Sequence, residues 1–201
     1  DEHLRFILLS RAALESCQRM AFSPQIVHCN DWQTGLVPAL LSLEWQRPAT
    51  VFTIHNLAYL GQFDRATFDE LELHKQLWSP QGLEFHGNFA FIKGGIAYSD
   101  HLTTVSPSYA AEIRTPAFGY GLEGLLNHRQ EALSGILNGI DTDAYDPQGD
   151  EHIAQTFSAE DLQGKQANKR AIQKRCGLPE QPDVPLLTMI SRLSGQKGID
   201  V

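Results

Sequence analysis

The spacing of apolar positions changes along the chain. Residues 1–20 place Phe6, Leu9, Ala13, Cys17 and Met20 three or four apart, which predicts an amphipathic helix with one apolar stripe. Ile26-Val27-His28-Cys29 and Val51-Phe52-Thr53-Ile54 are then short β-rich runs. The stretch 35–46 between them has helical spacing, so 25–56 reads as a βαβ unit with parallel strands. Beyond a polar, irregular stretch at 61–87, the pattern predicts a helix at 88–99 and a strand at 101–105. Helical pieces at 107–113 and 122–131 and a strand at 135–137 complete it. This alternation is that of an α/β fold built on a parallel sheet flanked by helices.

After Asn138-Gly139-Ile140-Asp141 the composition becomes polar and charged, with Asp146-Pro147 and Gly149 as turn formers. A domain boundary is therefore expected within 140–150, and we divide the chain into 1–143 and 144–201. In the second part, a helix over 161–176 should stop at Gly177, with Pro179 beyond it, and 185–193 reads as a buried strand. A further helix is expected to begin at 198–200. The chain opens on Asp1 and stops at Val201 inside that helix, so it reads as an internal piece of a longer protein.

Charge narrows the partners. Lys and Arg total 16 against 24 Asp and Glu, a formal net charge of −8, which gives the surface no attraction for nucleic acid or an anionic membrane. A small molecule or a neutral polymer fits better. Cys17, Cys29 and Cys176 lie far apart without C-x-x-C spacing, which argues against a disulfide framework or a structural zinc site and for a reducing compartment. There is neither an apolar run of membrane-spanning length nor a secretory signal pattern.

Ligands of open parallel sheets bind beyond the carboxyl ends of the strands, which singles out Asp31 and His55, each just past a β-rich run. As balanced alternatives, Asp31 caps the following helix and His55 is a satisfied core histidine. Arg192 and Lys197 flank the expected start of the last helix, where two cations suit a diphosphate. On spacing alone, a solvated surface turn is the commoner explanation.

Two motifs are set aside. Gly119-Tyr120-Gly121-Leu122-Glu123-Gly124 matches G-x-G-x-x-G, with Asp141 following at a suitable distance, but no strand-length apolar run precedes it. Asp141-Thr142-Asp143 has the form of a metal-binding D-x-D, yet its place before Tyr145-Asp146-Pro147 favours a turn or helix entry. No G-x-S-x-G or H-E-x-x-H occurs.

The ordered strings His-Cys-Asn-Asp-Trp-Gln-Thr-Gly (28–35), Val-Phe-Thr-Ile-His-Asn-Leu-Ala-Tyr (51–59) and Gly-Leu-Glu-Phe-His-Gly (82–87) stand in the first half of the chain. Leu-Thr-Thr-Val-Ser-Pro (102–107), Phe-Gly-Tyr-Gly-Leu-Glu-Gly-Leu-Leu (118–126), Leu-Asn-Gly-Ile-Asp (137–141) and Ser-Arg-Leu-Ser-Gly-Gln-Lys-Gly (191–198) follow. Together they closely resemble the bacterial glycogen synthase and plant starch synthase family over essentially the whole chain.

The resemblance implies a GT-B architecture of two Rossmann-like domains, with 1–143 the latter part of the acceptor-side domain and 144–201 the beginning of the nucleotide-donor domain. It implies transfer of glucose, with retention, from a nucleotide-glucose, ADP-glucose favoured, to an α-1,4-glucan, without metal or cofactor. By the same likeness Asp31 and His55 contact the transferred glucose, Arg192 and Lys197 bind the donor diphosphate, and Asn138 stands near the donor at the hinge. The family's Lys-Thr-Gly-Gly-Leu loop and its Glu-containing donor loop are not in this sequence, so the chain by itself is expected to be inactive. The implied location is bacterial cytoplasm or plastid stroma. Another GT-B transferase, such as a sucrose synthase, and a catalytically inactive glucan-binding paralogue are the competing expectations.

Overall fold

The amphipathic stretch at the start folds as α1 (Glu2–Arg19) in the computed structural model, which describes residues 2–199. It is followed by β1 (Ile26–Asn30), α2 (Leu36–Leu41) and β2 (Ala49–Ile54). The two strands pair in parallel, with His28 opposite Val51 and Asn30 opposite Thr53, as the βαβ reading expects. Helix α2 is shorter than the 35–46 expected. Ser42 Oγ bonds back to the Ala39 carbonyl, and Glu44, Trp45 and Gln46 beyond it are exposed, so no apolar face remains to hold another turn.

The stretch that looked irregular contains a second, antiparallel sheet. Its strands are β3 (Gln62–Phe63), β4 (Glu84–Phe85) and β5 (Asn88–Ala90), in the order β3-β5-β4, with α3 (Arg65–Glu70) between the first two. Strands of two or three residues are too short to show a period of two. Asp64 caps α3 by accepting from the Thr67 N–H at 2.8 Å. Because 88–90 is extended, the helix expected from 88 begins later, as α4 (Phe91–Tyr98).

The chain then returns to the main sheet with β6 (His101–Thr104), α5 (Pro107–Glu112), α6 (Glu123–His128) and β7 (Leu133–Gly135). The order β1-β2-β6-β7 is parallel throughout. The last strand lies earlier than the 135–137 expected. β6 ends at Thr104, which pairs with Gly135, so Ile136 and Leu137 run past the end of their neighbour and are exposed. Their apolar character misplaced the strand.

Two apolar clusters hold this unit. Phe52, Ile54, Ile92, Ile96 and Leu102 fill the space between the main sheet and α4. The second cluster ties the small sheet to the helices through aromatic contacts: the ring centres of Phe68 and Phe89 are 5.6 Å apart, those of Trp32 and Phe63 6.2 Å. Helix α4 lies very close to its neighbours. A Cβ on Gly35 would stand 2.0 Å from the Phe91 carbonyl oxygen, and one on Gly95 2.3 Å from the Phe52 ring, so only glycine fits at either place. Arg129 closes the end of α4 by donating to the carbonyls of Ile96, Ala97 and Ser99. At the amino ends of the strands, Asp100 takes both guanidinium nitrogens of Arg47 at 2.7 Å and the Thr50 N–H at 2.7 Å.

The division into compact units falls between Asn138 and Gly139. In the second unit, α7 (Gln163–Arg175) is stopped by Gly177 at φ +67°. Asn168 exchanges hydrogen bonds with the backbone of Gln155, and Lys169 donates to the carbonyls of Pro182 and Val184. The strand expected at 185–193 is not formed. Leu187, Ile190 and Leu193 are exposed, and among the described residues this unit contains no strand to pair with, so the run has neither a ladder nor a surface to cover. The helix expected at 198–200 is also not seen over Gly198 and Ile199, while Asp200 lies outside the described residues.

Candidate active site

Parallel pairing brings the carboxyl ends of β1 and β2 side by side, and the chain leaves β1 at Asp31 and β2 at His55. Asp31 Oδ1 accepts from the backbone N–H of His55 at 2.7 Å and from that of Asn56 at 3.3 Å. In return, the Asp31 N–H donates to the Thr53 carbonyl at 2.9 Å. The His55 ring meets Asn30, with Nε2 3.0 Å from Oδ1. With the Asn30 carbonyl oxygen as acceptor, Nε2 is the donor of this contact, and Nδ1 has no hydrogen-bond partner among the described residues. The structure thus brings Asp31 and His55 onto one rim.

Neither structural alternative survives. Asp31 precedes the short 3-10 turn Trp32–Thr34 but makes no side-chain cap, since its carboxylate is spent on β2's exit. His55 is exposed rather than a core histidine. Asp31 also has φ +55° and ψ −178°, a region that suits glycine and costs another residue on the order of 1–3 kcal/mol. Strain of this kind persists where the surrounding structure over-determines the backbone, here through the bonds of Asp31 to His55, Asn56 and Thr53.

The third strand end contributes Tyr109. Ser106 caps α5 through the Tyr109 N–H at 2.9 Å, and the Tyr109 hydroxyl oxygen accepts from the Leu57 N–H at 3.1 Å, pinning the turn behind His55. Burial pushes the Tyr109 hydroxyl pKa up, and Tyr120, Asp31 and Glu112 add to that rise. Sequence reasoning missed Asn30 and Tyr109. The first is the last residue of β1, next to Asp31, and the second lies in α5 beyond the Ser-Pro turn that follows β6, which was the one positional signal available. Below the rim, buried Thr53 and Thr103 hydroxyls lie 2.5 Å apart, and Thr104 Oγ1 donates to the Ile54 carbonyl at 2.7 Å. These bonds fix the strands beneath the site.

The remaining expected residues are placed separately. Asn138 is exposed at the end of the first unit. Arg192 and Lys197 are exposed in the second unit, Lys197 closing a 3-10 turn, Gly195–Lys197, that leads to Gly198 at φ +68°. Asp141 of the D-x-D accepts from the N–H groups of Asp143 and Ala144, at 3.1 and 2.9 Å, which makes it a turn former. The G-x-G-x-x-G segment follows α5 and a turn rather than a strand. A cavity of about 1350 Å³ opens at the amino ends of the strands between Gln18, Trp45 and Asp100. It holds none of the candidate residues.

The chain has known relatives. The family described as the starch synthase catalytic domain matches residues 1–128, and the chain belongs to that family. It is 55% identical to a glycogen synthase of Cellvibrio japonicus (strain Ueda107) over 204 residues, covering all of this chain and 42% of the relative. A glycogen synthase of Thioalkalivibrio sulfidiphilus (strain HL-EbGR7) is 54% identical, again with all of this chain and 42% of the relative covered. The chain therefore spans about two fifths of the length of these curated relatives. Among solved structures, the catalytic domain of starch synthase IV from Arabidopsis thaliana, bound to ADP and acarbose, superposes with a TM-score of 0.78 at 38% identity. That match covers 89% of this chain and 38% of the other. The α/β fold of GT-B type expected from the sequence is the fold of this family. Among the described residues no helix is long and apolar enough to cross a membrane.

Proposed function

We propose that the protein carrying this chain is a glycogen or starch synthase that transfers glucose, with retention, from a nucleotide-glucose to the non-reducing end of an α-1,4-glucan. The observation that carries the proposal is the strained Asp31, whose carboxylate fixes the turn bearing His55 at the carboxyl ends of two parallel strands. Family membership and the ADP and acarbose bound to the Arabidopsis relative support ADP-glucose as donor and a glucan as acceptor. Residues 1–143 then belong to the acceptor-side domain and 144–201 to the donor domain.

In this mechanism Asp31 and His55 hold the hydroxyls of the transferred glucose. Asp31 keeps one carboxylate oxygen free of the turn and His55 keeps Nδ1 free, so both have a polar atom to offer a hydroxyl. Arg192 and Lys197 neutralise the diphosphate as negative charge grows on it, which favours the transition state over the bound substrate. Asn138 stands at the hinge beside the donor. The acceptor hydroxyl attacks from the face the diphosphate leaves, and no metal or cofactor has a role. The enzyme acts in a bacterial cytoplasm or a plastid stroma.

The test offers labelled ADP-glucose or UDP-glucose to the full-length protein with glycogen, fructose or glucose phosphate. Label in glycogen, with ADP-glucose preferred, is expected. Label only in a disaccharide would make it a different GT-B transferase, and no transfer at all would make it a glucan-binding paralogue.

A further inference from the structure

A second cavity of about 330 Å³ lies between the turn joining β4 to β5 and the loop that enters α6. It is lined by Glu84, Phe85, His86, Lys93, Gly121 and Leu122, among others. That volume is at the small end for ligand pockets, about 300–1,000 Å³. The loop packs on the same apolar cluster as the rim already described, through Leu122, Leu57 and Tyr109.

The walls are unusual in two respects. His86 has φ +52° and Tyr120 φ +51°, left-handed values at which glycine or asparagine costs little and a ring is disfavoured. Both side chains are nevertheless exposed, His86 in the wall itself and Tyr120 next in the chain to the pocket-lining Gly121. Gly121 lies close to His86, since a Cβ there would stand 3.4 Å from Nε2. The second oddity is Lys93, which is 6% exposed. Its ammonium donates to the carbonyls of Pro80 and Glu84 and forms no ion pair among the described residues, so one of its three N–H groups remains unspent. Burial pushes its pKa down, and the nearby Glu84 carboxylate opposes that shift.

The charges select the ligand class. Lys93 and Glu84 place one cation and one anion at the same pocket, so an anion gains little. Glu84 Oε1 is held by the Gly87 N–H at 2.7 Å, while its other oxygen is free to accept. One wall thus supplies both a donor and an acceptor, His86 supplies either, and Phe85 and Leu122 are apolar. Adjacent hydroxyls on an apolar ring face satisfy all of these at once.

We propose that this pocket is a carbohydrate subsite that takes a glucosyl unit of the acceptor glucan, with Lys93, Glu84 and His86 bonding its hydroxyls and Tyr120 beside its ring. The assignment rests on the glucan-acceptor function proposed above. His86→Asn and Tyr120→Asn each remove a ring while keeping a residue that tolerates the same backbone, so both variants should melt near the wild type.

The experiment titrates maltoheptaose, and separately ADP and inorganic phosphate, into the full-length wild type and both variants by calorimetry. For His86→Asn, maltoheptaose affinity should fall about tenfold, as for loss of a ligand hydrogen bond, while ADP affinity holds. Unchanged maltoheptaose affinity in both variants, with wild-type transfer to glycogen intact, would overturn the subsite and leave the proposed function standing. Phosphate binding that is lost in His86→Asn would overturn it in favour of an anion site. A wild type that neither transfers glucose nor binds maltoheptaose would overturn both.

Discussion

Asp31 Oδ1 lies 2.7 Å from the backbone nitrogen of His55, so a carboxylate at the end of one strand holds the turn that carries the imidazole at the end of the next. The two residues are coupled through the backbone, and removing the carboxylate should disturb both the fold and the position of the ring.

Asp31→Ala leaves the N–H groups of His55 and Asn56 without their acceptor and keeps the strained backbone. Asp31→Gly loses the same bonds but relaxes the strain. Denaturant unfolding should therefore find the glycine variant more stable than the alanine variant by about 1 kcal/mol or more. Both should lose transfer activity, and equal stabilities would show that φ +55° at Asp31 carries no strain.

The Asp100 carboxyl is held well below the usual carboxylate range, first by its hydrogen bonds to Arg47 and also by those from Thr50, against some desolvation. A carboxylate whose pKa is depressed on folding stabilises the protein above its unfolded pKa of about 3.9, and that contribution drains away as pH falls towards the folded value. Asp100→Asn should lower the melting temperature at pH 7 and flatten its decline below about pH 4. Parallel melting curves for variant and wild type through that range would contradict it.

Close approach of α4 to its neighbours makes the glycines of the chain unequal. Gly35→Ala would drive a methyl into the Phe91 carbonyl, whereas Gly124 has nothing within 4 Å of a Cβ. The first should destabilise by about 1–3 kcal/mol or more. The second, in a helix, should be neutral or stabilising by up to about 1 kcal/mol. Denaturant midpoints of the two variants check the contrast.

Residues 1–201 alone should not transfer glucose, because Arg192 sits in exposed chain where a strand was expected and Lys197 in an exposed turn beyond it. A misplacement of even about 1 Å can cost a hundredfold in rate. Turnover comparable with the full-length protein in a glycogen-labelling assay would refute this.

How much of this was legible in the sequence depended on the length of the signal. β1, β2 and β6 showed as apolar runs within a residue or two of their ends, and their polar successors Asp31 and His55 followed from the strand-end rule. The small sheet of Gln62–Phe63, Glu84–Phe85 and Asn88–Ala90 did not show, because its strands are too brief for periodicity. Ile136-Leu137 and the run at 185–193 failed for a different reason: an apolar sequence becomes a strand only where a neighbour offers backbone to pair with. Asn30 and Tyr109 escaped because their roles are relational, one meeting the His55 ring and the other the Leu57 amide.

The most direct measurement of the central claim is transfer of labelled glucose from ADP-glucose to glycogen by the full-length protein and its His55→Ala variant. The side chain of His55 is exposed and its backbone is what Asp31 holds, so the variant should keep the wild-type melting temperature. Loss of a transition-state contact of about 3 kcal/mol should lower turnover by roughly a hundredfold or more. Wild-type turnover in a correctly folded His55→Ala protein would contradict the assignment of this rim as the site of glucose transfer.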